Sequence, residues 1–178
     1  MMKPEDYMKI AMAEAAKASR AGDVPVGCVV VLDGDIIGRG HNRRERIQSV
    51  QGHAEMMALA EASETVATWR LEGADLYVTL EPCMMCAGAI MQARVARVYY
   101  GASDPKTGCC GNSDIGDLFA TSANHHTEVI GGIMRDECSA MLKDFFARRR
   151  AEQSRIGNRT ERKRDAIERW RERRDETR

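Results

Sequence analysis

Seven residues, Val26-Gly27-Cys28-Val29-Val30-Val31-Leu32, form a nearly continuous apolar run, and this run constrains the fold of the 178-residue chain more than any other stretch. A strand with one wet face alternates apolar and polar residues. A run without alternation reads as a strand buried on both faces, so helices must cover it above and below. The flanking segments supply those layers. Pro4 opens a helix, where its missing N–H costs nothing, and Met8, Ala11, Met12, Ala15 and Ala16 fall on one face before Gly22 ends it. Asp33-Gly34 is a hairpin turn that returns Ile36 to His41 beside the first strand. A helix from His53 to Val66 follows, with Met56, Met57, Leu59 and Ala60 as its apolar surface. Leu76 to Leu80 is a strand, Pro82 to about Ala93 a helix, Val95 to Tyr100 a strand and Glu128 to Ile133 a last strand. Asp136 to Arg149 is helical with Cys138, Met141, Leu142 and Phe145 inward, and Gly101 to His126 reads as functional loop with room for one helical turn. Helices alternating with strands predict an α/β fold, a three-layer α/β/α sandwich.

Composition fits a single domain with a real core: 43% hydrophobic and 30% charged residues. The formal net charge is zero but unevenly spread. From Arg148 to Arg178 there are 13 Lys/Arg against 7 Asp/Glu, so a basic tail follows an acidic body. A solvated helix of mixed charge accounts for such a tail on charge alone; a polyanionic partner is the sharper reading. Gly157-Asn158 interrupts, and Arg159 to Glu176 is helical by propensity with a thin stripe of Ala166, Ile167 and Trp170. Met1 to Ile10 lacks the basic-then-apolar pattern of a leader, and no stretch reaches the ~20 apolar residues of a membrane span. The six cysteines are unevenly spaced, unlike a secreted disulfide framework. A cytoplasmic protein is expected.

Two short motifs carry chemistry. His53-Ala54-Glu55 and Pro82-Cys83-Met84-Met85-Cys86 each open a helix. His, Cys and Cys make a three-ligand set for zinc with a fourth position left for water. His41, His125 or His126 could close that position, and the sequence leaves the open and closed readings side by side. Cys83 and Cys86, three apart at a helix start, share a face near the positive end of the helix dipole, which favours thiolates. Glu55 can reach a metal-bound water whose pKa falls toward ~7 and take its proton; its plain alternative is an acid that complements the helix N-terminus. Cys83-x-x-Cys86 alone reads equally as a redox pair or two buried thiols. His-x-Glu together with Pro-Cys-x-x-Cys is the pattern of zinc deaminases, with the Glu as general acid/base.

From about Met8 to Arg150 the chain resembles the bacterial tRNA adenosine deaminases of the cytidine deaminase-like fold. The matching stretches are Val24-Pro25-Val26-Gly27, Gly40-His41-Asn42-Arg43, His53-Ala54-Glu55, Thr79-Leu80-Glu81-Pro82-Cys83-Met84-Met85-Cys86-Ala87-Gly88-Ala89, Asp104-Pro105-Lys106-Thr107-Gly108 and Asp144-Phe145-Phe146-Ala147-Arg148-Arg149-Arg150. The zinc motif belongs to the whole superfamily; the Val-Pro-Val-Gly, Asp-Pro-Lys-Thr-Gly and Phe-Phe-x-Arg-Arg stretches point to the tRNA branch. The resemblance implies a five-stranded mixed sheet between helices, a homodimer, and a deaminase domain over residues 1–150 followed by a charged tail over 151–178. It implies one Zn2+ per subunit on His53, Cys83 and Cys86, with Glu55 as proton shuttle. Asn42 would hydrogen-bond a flipped-out base and Val26 line its pocket. Asp104, Lys106, Asn124, Phe145, Phe146 and Arg149 would meet the tRNA anticodon stem-loop, whose target is the wobble adenosine of an arginine tRNA. Physical chemistry agrees in part: a stacked base must be extruded before it reacts, Asn both donates and accepts, and cationic side chains meet phosphates.

Two stretches depart from the family pattern. Ser49-Val50-Gln51-Gly52 replaces a Pro-Thr-Ala-like lead-in, and Gly52 is expected to loosen the loop before the zinc histidine. Asn124-His125-His126 lacks the Arg that often follows Asn-His. The rivals are a deaminase of free guanine, cytosine or nucleosides with the same zinc chemistry, a non-catalytic zinc RNA-binding module, and, more remotely, a redox protein.

Overall fold

A computed structural model of the chain describes residues 2–120, 125–156 and 168. The elements run α1 (Pro4–Arg20), β1 (Gly27–Leu32), β2 (Asp35–His41), α2 (Arg44–Ile47), α3 (Ala54–Thr65), β3 (Asp75–Leu80), α4 (Met84–Gln92), β4 (Arg97–Ala102), β5 (Glu128–Gly131) and α5 (Arg135–Ile156). The chain forms two compact units, Met1–Lys143 and Asp144–Arg178, so the second begins inside α5. Gly157-Asn158 lies outside the described residues, as does all of the expected helix from Arg159 to Glu176 except Glu168, which is helical and exposed.

The five strands form one mixed sheet in the order β2-β1-β3-β4-β5. β1 pairs antiparallel with β2 and β3, while β3, β4 and β5 run parallel. The apolar run is buried on both faces, as its lack of alternation predicts. Val29 and Val31 pack with Tyr7, Met8 and Ala11 of α1, whereas Cys28 and Val30 pack with Ala54, Ala58 and Ala62 of α3. Cys138 of α5 lies in the α1-side cluster, and Ala87 and Ile90 of α4 in the α3-side cluster. The three layers are therefore α1 and the start of α5, the sheet, then α3 with α4.

Asp33 (φ 53°) and Gly34 (φ 91°) make the two-residue turn of the first hairpin in the left-handed conformation such turns require. Most element edges differ by a residue or two from the expected ones, β4 beginning at Arg97 rather than Val95, while α5 runs past the expected end at Arg149 to Ile156. The Val95 N–H still bonds the Ile90 carbonyl, and the Ala96 and Arg97 N–H groups are taken by the Ala74 carbonyl. The stretch Gly101 to His126 holds no helix among its described residues. The four-residue α2 is too short to show a hydrophobic period.

The inner face of α3 differs from the expected one. Ala54, Ala58, Leu59 and Ala62 are buried, Met56 and Met57 only partly so, and Ala60 is exposed. The cause is a close seat on β2. A Cβ at Gly40 would stand 2.1 Å from the Ala54 carbonyl oxygen, and one at Gly38 2.3 Å from that of Ala58. Ala54, Ala58 and Ala62 fit that seam, and Met57 reaches it with its Cβ. On α1 the buried set likewise shifts to Tyr7, Met8, Ala11, Glu14, Ala15 and Ala18. Gly40→Ala is expected to push α3 off the sheet and cost about 3 kcal/mol, read as a lower urea midpoint at constant slope; an unchanged midpoint would mean the seam yields.

Candidate active site

The antiparallel and parallel pairings bring one end of each central strand to one edge. β1 starts where β2 and β3 end, since Gly27 faces His41 and Cys28 faces Val78, and β4 ends beside β3 with Ala102 opposite Leu80. The residues just outside those strand ends are Val26, Asn42, Cys83 and Asp104. A cleft of about 200 Å³ opens there, lined in part by these four with His53 and Glu55.

Two helix N-termini point into the cleft. His53 is the N-cap of α3 and Cys83 the N-cap of α4, both in extended conformation. His53 Nδ1 lies 3.7 Å from Cys83 Sγ and 3.5 Å from Cys86 Sγ. Around a tetrahedral zinc ion, with bonds of about 2.1 Å to nitrogen and about 2.3 Å to sulfur, ligand atoms stand about 3.6 Å apart. The triangle therefore fits such an ion. Among the described residues it is the group of side chains spaced to hold a metal, and no candidate fourth ligand joins it. His41 Nδ1 faces Glu14 at 3.1 Å, His125 Nε2 bonds the Val95 carbonyl at 2.8 Å, and His126 is exposed. His53 and Cys83 of the triangle line the cleft.

The electrostatics suit a cation beside a proton carrier. A hydrogen bond from the Cys86 thiol lowers Cys83 to about 4, and His53 adds to the effect. The same bond and burial hold Cys86 up, while the Cys83 sulfur holds His53 up. A bound ion replaces these protons and takes both sulfurs as thiolates. Glu55 is 4% exposed, and burial pushes its carboxyl up to about 7. A carboxyl poised there exchanges protons readily near neutral pH.

The substrate-facing side is braced by hydrogen bonds. Asn42 Oδ1 accepts the Ala54 N–H at 2.9 Å, capping α3 beside His53. Asp104 is tied into its own turn, accepting the Lys106 and Thr107 N–H groups and the Thr107 hydroxyl. Burial alone would raise its carboxyl, but these donors outweigh it and the group is lowered. Lys106 is exposed on the same turn and does not line the cleft. Asn124 lies outside the described residues. Within the second unit Phe145 is buried and Phe146 exposed, their rings edge to face, and the Arg149 guanidinium sits 5.8 Å from the Phe145 centroid.

Two contributors were not read from the sequence, and a third, Gly52, was read the other way. Glu81 is buried and accepts the Asp104 and Cys110 N–H groups, each at 2.9 Å, which fastens loop 104–110 beside Cys83. Asp23 is buried and accepts the Glu45 and Arg46 N–H groups, fixing α2 at the cleft mouth where Arg44 and Glu45 stand. Gly52 packs rather than loosens. It is buried, its carbonyl takes the Arg43 N–H at 2.8 Å, and a Cβ there would lie 2.8 Å from the Arg44 backbone. The only sequence signals were an acid beside each motif, Asp23 before Val-Pro and Glu81 before Pro-Cys.

Comparison with known proteins agrees with this chemistry. Residues 2–150 match the MafB19-like deaminase family. A tRNA-specific adenosine deaminase of Bacillus subtilis is 51% identical over 146 residues, covering 82% of this chain and 90% of the relative. A structure from a study of A-to-I editing by tRNA:A34 deaminases at the wobble position is 43% identical with a TM-score of 0.72, covering 77% of this chain and 99% of that one. A guanine deaminase of Bacillus subtilis is 36% identical with a TM-score of 0.55, covering 57% of this chain and 66% of that one.

Proposed function

The chain belongs to the family of tRNA-specific adenosine deaminases, inside the MafB19-like deaminases, and from that premise we propose that it hydrolyses the wobble adenosine of a tRNA anticodon loop to inosine. The observation that carries this reading is one cleft lined by His53, Cys83, the buried Glu55 and Asn42, with Cys86 buried behind it to complete the triangle. We assign one zinc ion per subunit to the triangle; when bound it supplies Lewis acidity and lowers the pKa of water.

The rest of the chemistry belongs to side chains. Glu55 takes a proton from the attacking water and delivers it to N1 of adenine as the C6–O bond forms. It then moves the second proton to the exocyclic nitrogen, the C6–N bond breaks, and ammonia leaves with inosine retained in the RNA. Since Asn42 Oδ1 is held by the Ala54 N–H, its amide nitrogen is the end that donates to the base. Val26 packs against the ring. The turn carrying Asp104 and Lys106, with Asn124, Phe145, Phe146 and Arg149, is assigned to the anticodon loop of an arginine tRNA. Similarity to a guanine deaminase supports the second reading, a small free base as substrate.

Residues 1–150 are assigned as the catalytic domain and 151–178 as an accessory RNA-binding tail. A homodimer is supported by an apolar hollow between α3 and α4, lined by Met56, Leu59, Ala60, Trp69 and Ala89, with Trp69 55% exposed. No helix among the described residues is long and apolar enough to cross a membrane. We assign the protein to the cytoplasm, where its six cysteines would stay reduced.

The deciding assay offers the zinc-loaded protein an anticodon stem-loop with a wobble adenosine, then free adenosine, cytidine and guanine. Inosine is expected in the stem-loop alone, and turnover confined to a free base would move the protein to the second reading. Glu55→Ala is expected to keep zinc and RNA binding while kcat falls at least about 10³-fold, whereas Cys83→Ala loses zinc; normal turnover without Glu55 would sink the mechanism. Truncation after Arg150 is expected to weaken tRNA binding and flatten its salt dependence, and identical binding curves would remove the tail from the interface. Sedimentation is expected to show a dimer that Trp69→Arg splits into monomers; a monomeric native protein would refute the assembly.

A further inference from the structure

Glu14 of α1 and His41 at the end of β2 are buried polar residues outside the mechanism. Glu14 is 4% exposed and His41 9%. Glu14 Oε2 lies 3.1 Å from His41 Nδ1, and Lys17 Nζ donates to Glu14 Oε1 at 2.6 Å. The pair sits at the active-site end of an otherwise apolar helix–sheet seam of Tyr7, Met8, Ala11, Val29 and Val31. A buried carboxylate with its hydrogen-bonded partners is seldom worth more for stability than apolar groups of the same volume, so stability is a weak reason for it.

Position supplies a better reason. His41 immediately precedes Asn42, whose amide caps α3 and faces the cleft. Glu14 also lies against the neighbouring strand end, since a Cβ on Gly27 would come within 2.9 Å of the Glu14 Cβ. Gly27 follows Val26, the other wall of the base pocket, and the Asn42 N–H bonds the Val26 carbonyl at 3.0 Å. Glu14 thus meets both strand ends that carry the base-binding residues, its carboxylate on His41 and its Cβ beside Gly27.

We propose that Glu14 and His41 form a brace that positions Asn42 and Val26 for the substrate base, His41 Nδ1–H donating to a carboxylate that Lys17 holds from its other side. They are positioning residues and touch no reacting atom. The proposal deepens the deaminase reading and rests on it. Because Asn42 holds the base in ground and transition states alike, loosening it raises KM and spares kcat.

The test is steady-state deamination of the wobble-adenosine stem-loop by zinc-loaded native, H41N, H41L and E14Q proteins, with zinc content and thermal unfolding recorded for each. Asn places its amide nitrogen near the native Nδ1, whereas Leu fills the space without a donor. H41L is expected to raise KM about tenfold with kcat within about twofold of native, H41N to stay within about threefold of native KM, and E14Q to raise KM less than H41L. In an N42A background the H41L effect is expected to shrink to below about twofold, since the brace then has nothing to position. Equal KM values for H41N and H41L, or an undiminished H41L effect in the N42A background, would overturn the brace. Should H41L fail to fold, the KM of E14Q decides: a rise upholds the brace and a native value overturns it. Turnover of the stem-loop by the native protein is the separate readout of the deaminase reading, so the two ideas fail separately.

Discussion

The seat of α3 on β2 governs the rest of the molecule. Gly38 and Gly40 present bare backbone to Ala54, Ala58 and Ala62, and the helix approaches until a single added carbon would collide with its carbonyls. That contact fixes the height of α3 above the sheet, and with it the position of its first turn. His53 caps that turn, Glu55 lies within it, and Asn42 leaves the adjoining strand end to hydrogen-bond its N-terminus. A helix spaced by leucines would stand farther out and carry all three away from the cysteines. Tight packing of small residues is thus the condition for a metal triangle with 3.5 and 3.7 Å edges.

The site concentrates negative charge where a protein of this size can tolerate it. Two sulfurs and a carboxylate converge on a part-buried cleft, and the N-termini of α3 and α4 are aimed at them. Helix dipoles offset some of that charge, and a bound cation offsets the rest. Glu55 shows the balance in miniature: burial drives it toward neutrality, while its own backbone N–H and the neighbouring His53 favour the charged form. A carboxylate held between these tendencies can gain and lose a proton within one turnover. An exposed glutamate would keep its negative charge throughout.

The sequence carries the fold where a residue type has few conformational options. The unalternating valine run had to be covered twice, Asp33-Gly34 had to turn, and the His-x-Glu and Pro-Cys-x-x-Cys motifs had to open helices. It misleads where apolarity and packing diverge. Met56 and Met57 are more hydrophobic than Ala54 and Ala58, yet the close seam takes the alanines and leaves Met56 beside the exposed Trp69. It is silent where one buried acid does a job no pattern announces. Glu81 secures two backbone N–H groups of a distant loop and Asp23 two of α2, and nothing in spacing tells such an acid from a surface one. Gly52 shows the same limit in reverse. Glycine in a loop suggests freedom, but here it allows the chain to pass against Arg44.

Size decides how a nucleic acid can use this cleft. About 200 Å³ admits a single base-sized group and excludes a stacked pair or an intact loop, so an adenine within RNA must leave the stack to reach the triangle. Once inside, a base from RNA and a free purine would meet the same lining, Val26 and Asn42 included. Discrimination between them therefore falls to the mouth, where the sugar and phosphates would lie. There the chain presents Arg44 and Glu45 on one side and the turn of Asp104 and Thr107 on the other. Each side is pinned by a buried carboxylate, Asp23 under α2 and Glu81 under the turn. A rim built from rigid loops can charge a fixed steric and electrostatic cost to a ligand of the wrong shape. The pair of acids that sequence reading overlooked is thus what holds that rim in place on either side of the cleft.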